Sequence, residues 1–201
     1  MVDKNFLDEL VKFADNNPNV GVAGPGVYCY NQADKIDNIG YYINICNARI
    51  SPSQVTLKKI KSPNTSLDFV IGCCLLIKKS VIDDIGLLDN RYFLYYEDVD
   101  WCLRAKKQKY NIVYVPKSQM WHKISSFESF ISLYYGNRNS FLLIKKNRNG
   151  FGILFCYSLL IFNKFILVLY LLLNSRFKES LIVFKAIKDG IKGNYGYKKL
   201  D

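Results

Sequence analysis

The stretch Tyr95–Arg104 (YYEDVDWCLR) decides how the rest of the sequence is interpreted. It places three carboxylates, Glu97, Asp98 and Asp100, within four residues, directly after an aromatic and apolar run suited to a protein core. If a helix begins near Glu97, these acids lie in its first turn, where unpaired N–H groups and the positive end of the helix dipole favour anions. Acids are common in first turns, so the pattern alone is about equally consistent with a structural and a functional role.

The neighbouring residues predict different roles for the three acids. Asp100 and Arg104 are four residues apart, which predicts an ion pair on one face of the helix. Glu97 and Asp98 differ, because the run Tyr92–Tyr96 is expected to bury the approach to the helix. The two acids would then lie at the rim of an apolar wall, where the pKa of a carboxylate is adjustable. Glu97 and Asp98 are therefore the candidates for chemistry.

Composition limits the class of protein. The chain has 201 residues, half of them hydrophobic, which is enough to bury the core of one ordinary domain. The net charge of +11 is uneven: residues 1–140 carry 17 basic and 14 acidic groups, whereas residues 141–201 carry 11 and 3. A basic block of this kind suits nucleic acid or anionic lipid. Its basic residues alternate with long aliphatic runs and form no aromatic and basic platform, which argues against nucleic acid.

The cysteines and the N-terminal residues bear on the compartment. The six cysteines include no CxxC pair and no disulfide-framework spacing. Cys73 and Cys74, adjacent in an apolar run, are predicted to be small buried hydrophobes, and a reducing compartment fits best. Met1–Leu10 is charged and does not resemble a secretory signal. We therefore expect a cytosolic start.

Hydrophobic periodicity predicts the first half of the fold. It indicates a helix over Asn5–Ala14 and a strand over Val20–Tyr28. The polar range Asn31–Asn64 is predicted to be a mostly irregular insertion with one short apolar stretch, Tyr41–Ile45. Asp68–Lys78 is predicted to be a strand buried on both faces.

The second half continues the alternation of strands and helices. A short helix over Val81–Ile85 would be capped by Ser80 and ended by Gly86. The helix of the acidic motif, roughly ten residues long, would precede a strand over Asn111–Val115 and a loop over Pro116–Ser126 that holds the only histidine. The alternation predicts an α/β fold.

The C-terminal segment predicts membrane-associated helices. Phe151–Leu173 is 23 residues long and could span a bilayer with a ~30 Å hydrocarbon core. Lys164 lies near its middle, however, at a cost on the order of 2.5–3.5 kcal/mol for insertion. Phe177–Tyr197 adds an amphipathic basic stretch, so both are expected to lie at, or dip into, the cytoplasmic leaflet. The alternative is a buried core hairpin.

A resemblance extends across residues 72–122 (GCCLLIKKSVIDDIGLLDNRYFLYYEDVDWCLRAKKQKYNIVYVPKSQMWH). The matching elements are a strand ending in basic residues, a short helix closed by Ile-Gly, Leu88-Asp89, an aromatic step, Glu-Asp-x-Asp, an Arg, a strand ending in Val-Pro and a His. In this order they resemble the second half of the catalytic domain of family 2 glycosyltransferases, above all the rhamnosyltransferase-like enzymes. The resemblance implies an inverting enzyme with a GT-A fold.

The resemblance also implies roles for individual residues. Asp98 matches the general base that takes the proton from the acceptor hydroxyl, and Glu97 would support it or help to bind the acceptor. His122 matches a histidine that helps to hold a divalent cation, Mg²⁺ or Mn²⁺, at the departing diphosphate. Without the motif, a single histidine beside Trp121 would be interpreted as a hydrogen-bonded loop residue.

Three further residues are candidates for contact with the donor or acceptor. Gly72 would allow a ligand to approach the backbone closely. Trp101, otherwise most simply a core residue, lies within the acidic motif. Arg138 lies in Tyr134–Lys146, which resembles the segment that leads from the catalytic domain to the terminal helices, and would contact a phosphate.

The sequence also departs from the family. In these enzymes a nucleotide-binding half ends in an Asp-x-Asp motif that holds metal and donor, and residues 1–25 resemble the stretch that follows it. We therefore expect a partial GT-A fold over residues 1–140, lacking that half, and a basic, hydrophobic helical segment over 141–201. The isolated chain is expected to bind a sugar nucleotide poorly, and another chain could supply the missing half.

The predicted function is that of a glycosyltransferase fragment of bacterial surface polysaccharide synthesis. It would transfer a sugar from a nucleotide-sugar donor to a glycan or lipid-linked acceptor with inversion, at the cytoplasmic face of the plasma membrane. No nucleic-acid partner is expected. The alternative is a non-catalytic, truncated membrane or assembly subunit derived from such an enzyme.

Overall fold

A computed structural model describes residues 1–53, 67–123 and 130–200. Within these ranges there are six helices and six strands. They are α1 Phe6–Asp15, β1 Val20–Cys29, β2 Gln32–Asn38, β3 Tyr41–Asn44, β4 Arg49–Pro52, β5 Leu76–Ile77, α2 Lys79–Ile85, α3 Glu97–Lys107, β6 Asn111–His122, α4 Phe130–Asn147, α5 Phe151–Leu173 and α6 Phe177–Lys192. The chain divides into two compact units.

The first unit comprises Met1–Tyr42, Ile50–Leu88 and Asp98–Ser125 and is built around strand β1. β1 pairs with β6 in parallel and with β2 and β5 antiparallel, which makes a mixed sheet. Helix α1 packs on β1 and β6, and Leu10, Val20 and Val113 form a buried cluster there. A parallel pair covered by a helix is the α/β arrangement that the sequence predicts.

Gly24 of the central strand has no room for a side chain. A Cβ on Gly24 would lie 2.8 Å from Cβ of Val70, closer than side chains pack. The small residues of β1 therefore allow the segment that leads towards β5 to pass directly over the strand.

Helices α2 and α3 are joined by side-chain contacts within the first unit. Gly86 ends α2 with φ of 78°, and its carbonyl accepts a hydrogen bond from Nε1 of Trp101 at 2.9 Å. Arg104 pairs with Asp100 at 3.1 Å and donates to the carbonyls of Ile85 and Leu87. The predicted pairing of Asp100 with Arg104 is confirmed, and it also fastens α3 to the end of α2.

The second unit comprises Ile43–Arg49, Asp89–Glu97 and Ser126–Asp201. Its core is helix α4, against which α5 and α6 pack. Leu133, Leu171 and Val183, one from each helix, form a buried cluster. The predicted boundary between residues 140 and 141 falls inside α4, and as a division of function it stays a prediction.

Several local predictions are confirmed and others are wrong. Helices α1, α3 and α5 and the early part of β6 lie where periodicity predicts them. Asn31–Asn64 contains strands β2, β3 and β4, whereas residues 54–66 lie outside the described ranges. Asp68–Lys78 is largely loop around the two-residue strand β5, because these residues cross the sheet and make little ladder pairing.

The structure also corrects predictions at single residues. Ser80 lies inside α2, where Lys78 takes the N-cap position. Cys73 is exposed, since the loop turns it away from the core. β6 continues through Pro116 to His122, so the histidine ends a strand, while residues 124–126 of the predicted loop lie outside the described ranges.

The aromatic run before the acids is not the buried wall that the sequence predicts. Tyr92 is buried, but Phe93, Leu94 and Tyr95 are 36–51% exposed. Phe93, Tyr95 and Tyr96 have positive φ values of 56°, 64° and 73°. The backbone of this segment buries Tyr92 but leaves the next three side chains exposed, which a strand or helix pattern does not anticipate.

Candidate active site

Asp98 is held at the start of α3 by two backbone donors. Its Oδ2 accepts a hydrogen bond from the N–H of Gly72 at 2.8 Å, and its Oδ1 accepts one from the N–H of Val99 at 2.8 Å. Each carboxylate oxygen keeps further lone-pair capacity after accepting one N–H. Asp98 therefore combines a fixed orientation with room to accept a proton.

Gly72 is in direct contact with the carboxylate of Asp98. A Cβ on Gly72 would lie 3.0 Å from Oδ2 and 3.3 Å from Cβ of Asp98. Within the described residues, this close contact of Gly72 is with the side chain of Asp98. Whether Gly72 also contacts a ligand stays a prediction.

The surroundings of Asp98 adjust its acidity. Burial raises the pKa of Asp98, while the N–H groups of Val99 and Gly72 act in the opposite direction and offset only part of the effect. A carboxylate with a raised pKa is a stronger base once ionised. This burial is present without the aromatic wall that the sequence predicts, because Phe93, Leu94 and Tyr95 are exposed.

Sequence reasoning missed one side chain near Asp98, that of Tyr41. Burial raises the pKa of Tyr41, with smaller contributions from the charges of Asp37, Cys73 and Asp98. The ring of Tyr41 stacks on Phe69 with centroids 5.1 Å apart. Tyr41 lies in the apolar stretch noted in the sequence, but nothing in its spacing relates it to Asp98, because a loop crossing brings the two together.

Glu97 is the first residue of α3 and belongs to the second unit. Its side chain is partly buried. The preceding residues, Asp89 to Tyr96, belong to the same unit, so the segment that leads into Glu97 is supported there. The role of Glu97 stays a prediction.

His122 ends β6 beside the end of β1. Its carbonyl accepts the N–H of Tyr30 at 3.2 Å, and it lines a cavity of about 250 Å³ together with Cys29, Asn31 and Gln32. Asp98 is not among the described residues lining that cavity. His122 therefore lines a cavity at the ends of β1 and β6, and its metal-binding role stays a prediction.

Trp101 and Arg138 have internal partners. Trp101 is 1% exposed and contacts the carbonyl of Gly86, which agrees with the core interpretation. Arg138 is fully buried in the second unit and donates to the carbonyl of Gly196 at 2.7 Å. These contacts account for both side chains without a ligand, so direct binding by Trp101 or Arg138 stays a prediction without support.

The family assignment agrees with this geometry. The family described as Glycosyl transferase family group 2 matches residues 1–187. The chain belongs to this family. The mixed α/β architecture, with the Glu-Asp pair opening a helix, is consistent with the GT-A-like fold that the resemblance implies.

Three relatives carry the family resemblance further. A dTDP-rhamnosyl transferase of Shigella flexneri is 26% identical over 159 residues, covering 73% of this chain and 51% of that protein. A low-salt glycan biosynthesis hexosyltransferase of Haloferax volcanii is 34% identical over 80 residues, covering 38% of this chain and 26% of that protein. An N-acetylglucosaminyl-diphospho-decaprenol L-rhamnosyltransferase of Mycobacterium tuberculosis is 34% identical over 65 residues, covering 32% and 21%. The chain thus spans about half the length, or less, of the curated relatives it matches.

Membership of this family suggests dependence on a divalent metal in general. Residues 1–53, 67–123 and 130–200 contain no group of three or more His, Cys, Asp or Glu side chains that could hold a metal ion. His122 could supply one ligand, but the described donors do not make a complete site.

Proposed function

We propose that this chain carries the acceptor-side half of an inverting sugar transferase, with Asp98 as the general base. The donor is a nucleotide sugar and the acceptor is a glycan or lipid-linked sugar of cell-surface polysaccharide synthesis. One observation carries the proposal: the carboxylate of Asp98, in the family's Glu-Asp motif, is oriented by the N–H groups of Gly72 and Val99.

The chemistry follows from that orientation. An acceptor hydroxyl attacks the anomeric carbon, its proton passes to Asp98, and the bond to the leaving nucleotide breaks on the opposite face, so the configuration inverts. A raised pKa brings the base closer to the working pH, which strengthens proton transfer. Glu97, next to Asp98, supports the base or contacts the acceptor.

The names of the relatives suggest the substrates. Two of the relatives are described as rhamnosyl transferases. The name of one contains the dTDP-rhamnosyl group, and the name of the other contains N-acetylglucosaminyl-diphospho-decaprenol. We infer that a dTDP-activated 6-deoxyhexose is the first donor to test and that the acceptor is lipid-linked. We propose that another chain supplies a donor-binding half with an Asp-x-Asp motif, and that a divalent cation would be held mainly there.

The terminal helices support a membrane-bound position. Within the described residues α5 alone has the length and composition to cross a membrane, and most of its apolar side chains are exposed. Lys164 is 9% exposed and donates to Oδ1 of Asn137 at 2.8 Å, so its charge faces α4 and not the outer surface. Helix α6 adds the exposed Phe177, Leu181 and Phe184 beside exposed lysines.

This surface suits an anionic membrane. Exposed aliphatic and aromatic side chains bury into the headgroup boundary, and neighbouring lysines attract anionic lipid. We infer that the chain is bound at the cytoplasmic face of the plasma membrane, close to a lipid-linked acceptor. The buried core hairpin, the alternative from sequence, receives no support, because the outer face of α5 is uncovered in its own unit.

The catalytic proposal is tested with Asp98→Asn in the chain joined to a donor-binding half from a family relative. Release of dTDP and the anomeric configuration of the product are measured. The variant is expected to lose about 100-fold or more of kcat, because general base catalysis contributes that much. Asp83→Asn is the control, since Asp83 is an exposed acid that pairs only locally with Lys79.

The possible outcomes separate the two interpretations of the chain. Retention of turnover within about twofold in Asp98→Asn would remove the base assignment, and a product of retained configuration would remove inversion. Complete inactivity of every form, with a folded chain and a functional donor half, would favour the non-catalytic subunit.

The membrane proposal is tested by flotation with vesicles. Binding to vesicles that contain phosphatidylglycerol is expected to exceed binding to phosphatidylcholine vesicles and to fall with added salt. Replacing the exposed Phe162 and Phe165 by serine should weaken binding about 10-fold or more. Tyr30→Ser, an exposed aromatic residue of the first unit, is the control. Equal binding by all three proteins would contradict the proposal.

A further inference from the structure

The segment that leads into the acidic pair is strained. Phe93, Tyr95 and Tyr96 all adopt the left-handed region, with φ of 56°, 64° and 73°. This region is unfavourable for bulky residues, and three such residues among four persist only where the surroundings hold them. Glu97 and Asp98 follow directly in sequence, so the conformation of this segment sets how the helix α3 begins.

One buried side chain holds the strained segment. Nδ2 of Asn139 lies 2.7, 2.8 and 2.9 Å from the carbonyl oxygens of Tyr92, Leu94 and Tyr95. The amide nitrogen has two N–H groups and three carbonyl acceptors, so one N–H group is shared between two carbonyl oxygens. Asn139 is fully buried on α4, so water does not compete for these carbonyls.

The orientation of the Asn139 amide is itself determined. Its Oδ1 accepts a hydrogen bond from Nε of Arg138 at 3.0 Å, which leaves Nδ2 facing the carbonyls. The guanidinium of Arg138 is held in turn by the carbonyl of Gly196 and lies over the ring of Tyr135, 4.7 Å from its centroid. The fully buried Arg138 thus fixes the orientation of the Asn139 amide, and Asn139 in turn holds the carbonyls of the strained segment.

We propose that Asn139 is a positioning residue for sugar transfer: it holds the segment 92–96, with its three left-handed residues, and thereby positions Glu97, the first residue of α3. This inference rests on the proposed function, because it assigns Asn139 an effect on the reaction through Glu97. Arg138 acts on the same path by fixing the Asn139 amide.

The test compares Asn139→Ala with Asn147→Ala. Asn147 lies on the same helix, and its Nδ2 donates to the carbonyl of Leu143 in its own helix at 2.8 Å, so it controls for loss of an asparagine from α4. Hydrogen exchange on the full chain should show loss of amide protection over residues 90–97 in Asn139→Ala only. In the assay used for Asp98→Asn, Asn139→Ala should lower kcat about 100-fold with little change in the donor KM, because Glu97 is displaced.

A rescue distinguishes positioning from general damage to the core. Tyr95 is 42% exposed, and glycine adopts a φ of 64° without steric cost. Adding Tyr95→Gly to Asn139→Ala should therefore raise kcat about 10-fold over Asn139→Ala alone. Tyr95→Gly adds no atoms to the cavity that Asn139→Ala leaves, so such a recovery would come from relief of backbone strain. Asn139→Gln, which keeps the donor, should retain more turnover than Asn139→Ala.

Three results would overturn the proposal. Unchanged exchange over residues 90–97 would show that Asn139 does not hold the segment. Lost protection with wild-type turnover would show that the segment does not position Glu97 for the reaction. An active Asp98→Asn protein would remove the proposed function and the positioning role with it, and this failure is recognised separately because the exchange result does not depend on activity.

Discussion

Gly72→Ala tests the contact on which the candidate site depends. The new Cβ would lie 3.0 Å from Oδ2 of Asp98, whereas ordinary contact begins near 3.4 Å, so the carboxylate must retreat by about 0.4 Å. The 2.8 Å hydrogen bond from the N–H of Gly72 would lengthen and lose part of the ~1.5–3 kcal/mol that a bond to a charged group contributes.

These effects combine into a measurable loss. Losing about 1 kcal/mol of the hydrogen bond that orients Asp98 lowers kcat roughly fivefold. Misplacing a reacting group by 1 Å lowers kcat about 100-fold, so a shift of about 0.4 Å lowers it roughly sixfold. We expect kcat to fall about 10–30-fold with folding retained. Because the weakened bond stabilises the charged form, the pKa of Asp98 rises further, and the acidic limb of the pH–rate profile moves to higher pH.

The assay is dTDP release across pH by the chain joined to a donor-binding half. Gly136→Ala is the control, since nothing lies within 4 Å of a Cβ at that helical position, and it should leave the profile unchanged. Wild-type kcat and an unmoved acidic limb in Gly72→Ala would refute the reasoning, because the carboxylate would then not depend on the Gly72 contact.

Two further predictions concern stability and thiol reactivity. The pKa of Asp89 is lowered mainly by hydrogen bonds from Arg91, with Lys146 adding to them, so its ionised form stabilises the fold above about pH 4 and this stability is lost as the pH falls below that value. Asp89→Asn should lower the free energy of unfolding at pH 7 by about 1–3 kcal/mol and flatten its fall in acid, measured by urea unfolding; parallel acid profiles for both proteins would contradict this. Iodoacetamide should label Cys46, whose pKa is lowered first by a hydrogen bond from Cys156, before Cys102, whose pKa burial raises to about 12; equal labelling rates in the folded protein would be the contrary result.

Much of the local structure could be predicted from sequence because it depends on near neighbours. The span of α3 and the pairing of Asp100 with Arg104 follow from helical spacing. The apolar helix α5 follows from composition over 23 residues. The predictions failed where tertiary contacts override local pattern, as in Asp68–Lys78, which has the composition of a strand but crosses the sheet as a loop.

The sequence by itself determined the family, the helix that begins at Glu97, and the identity of Asp98 as the candidate base, because motif order and helical periodicity are local properties. Only the tertiary structure decided what surrounds those residues. Gly72 and Asp98 are 26 residues apart, and Asn139 lies 44 to 47 residues from the carbonyls it holds. Such contacts are created when loops and helices cross, and no spacing within one element encodes them. The pKa of Asp98 and the backbone path into α3 are therefore set by tertiary contacts and not by the local sequence.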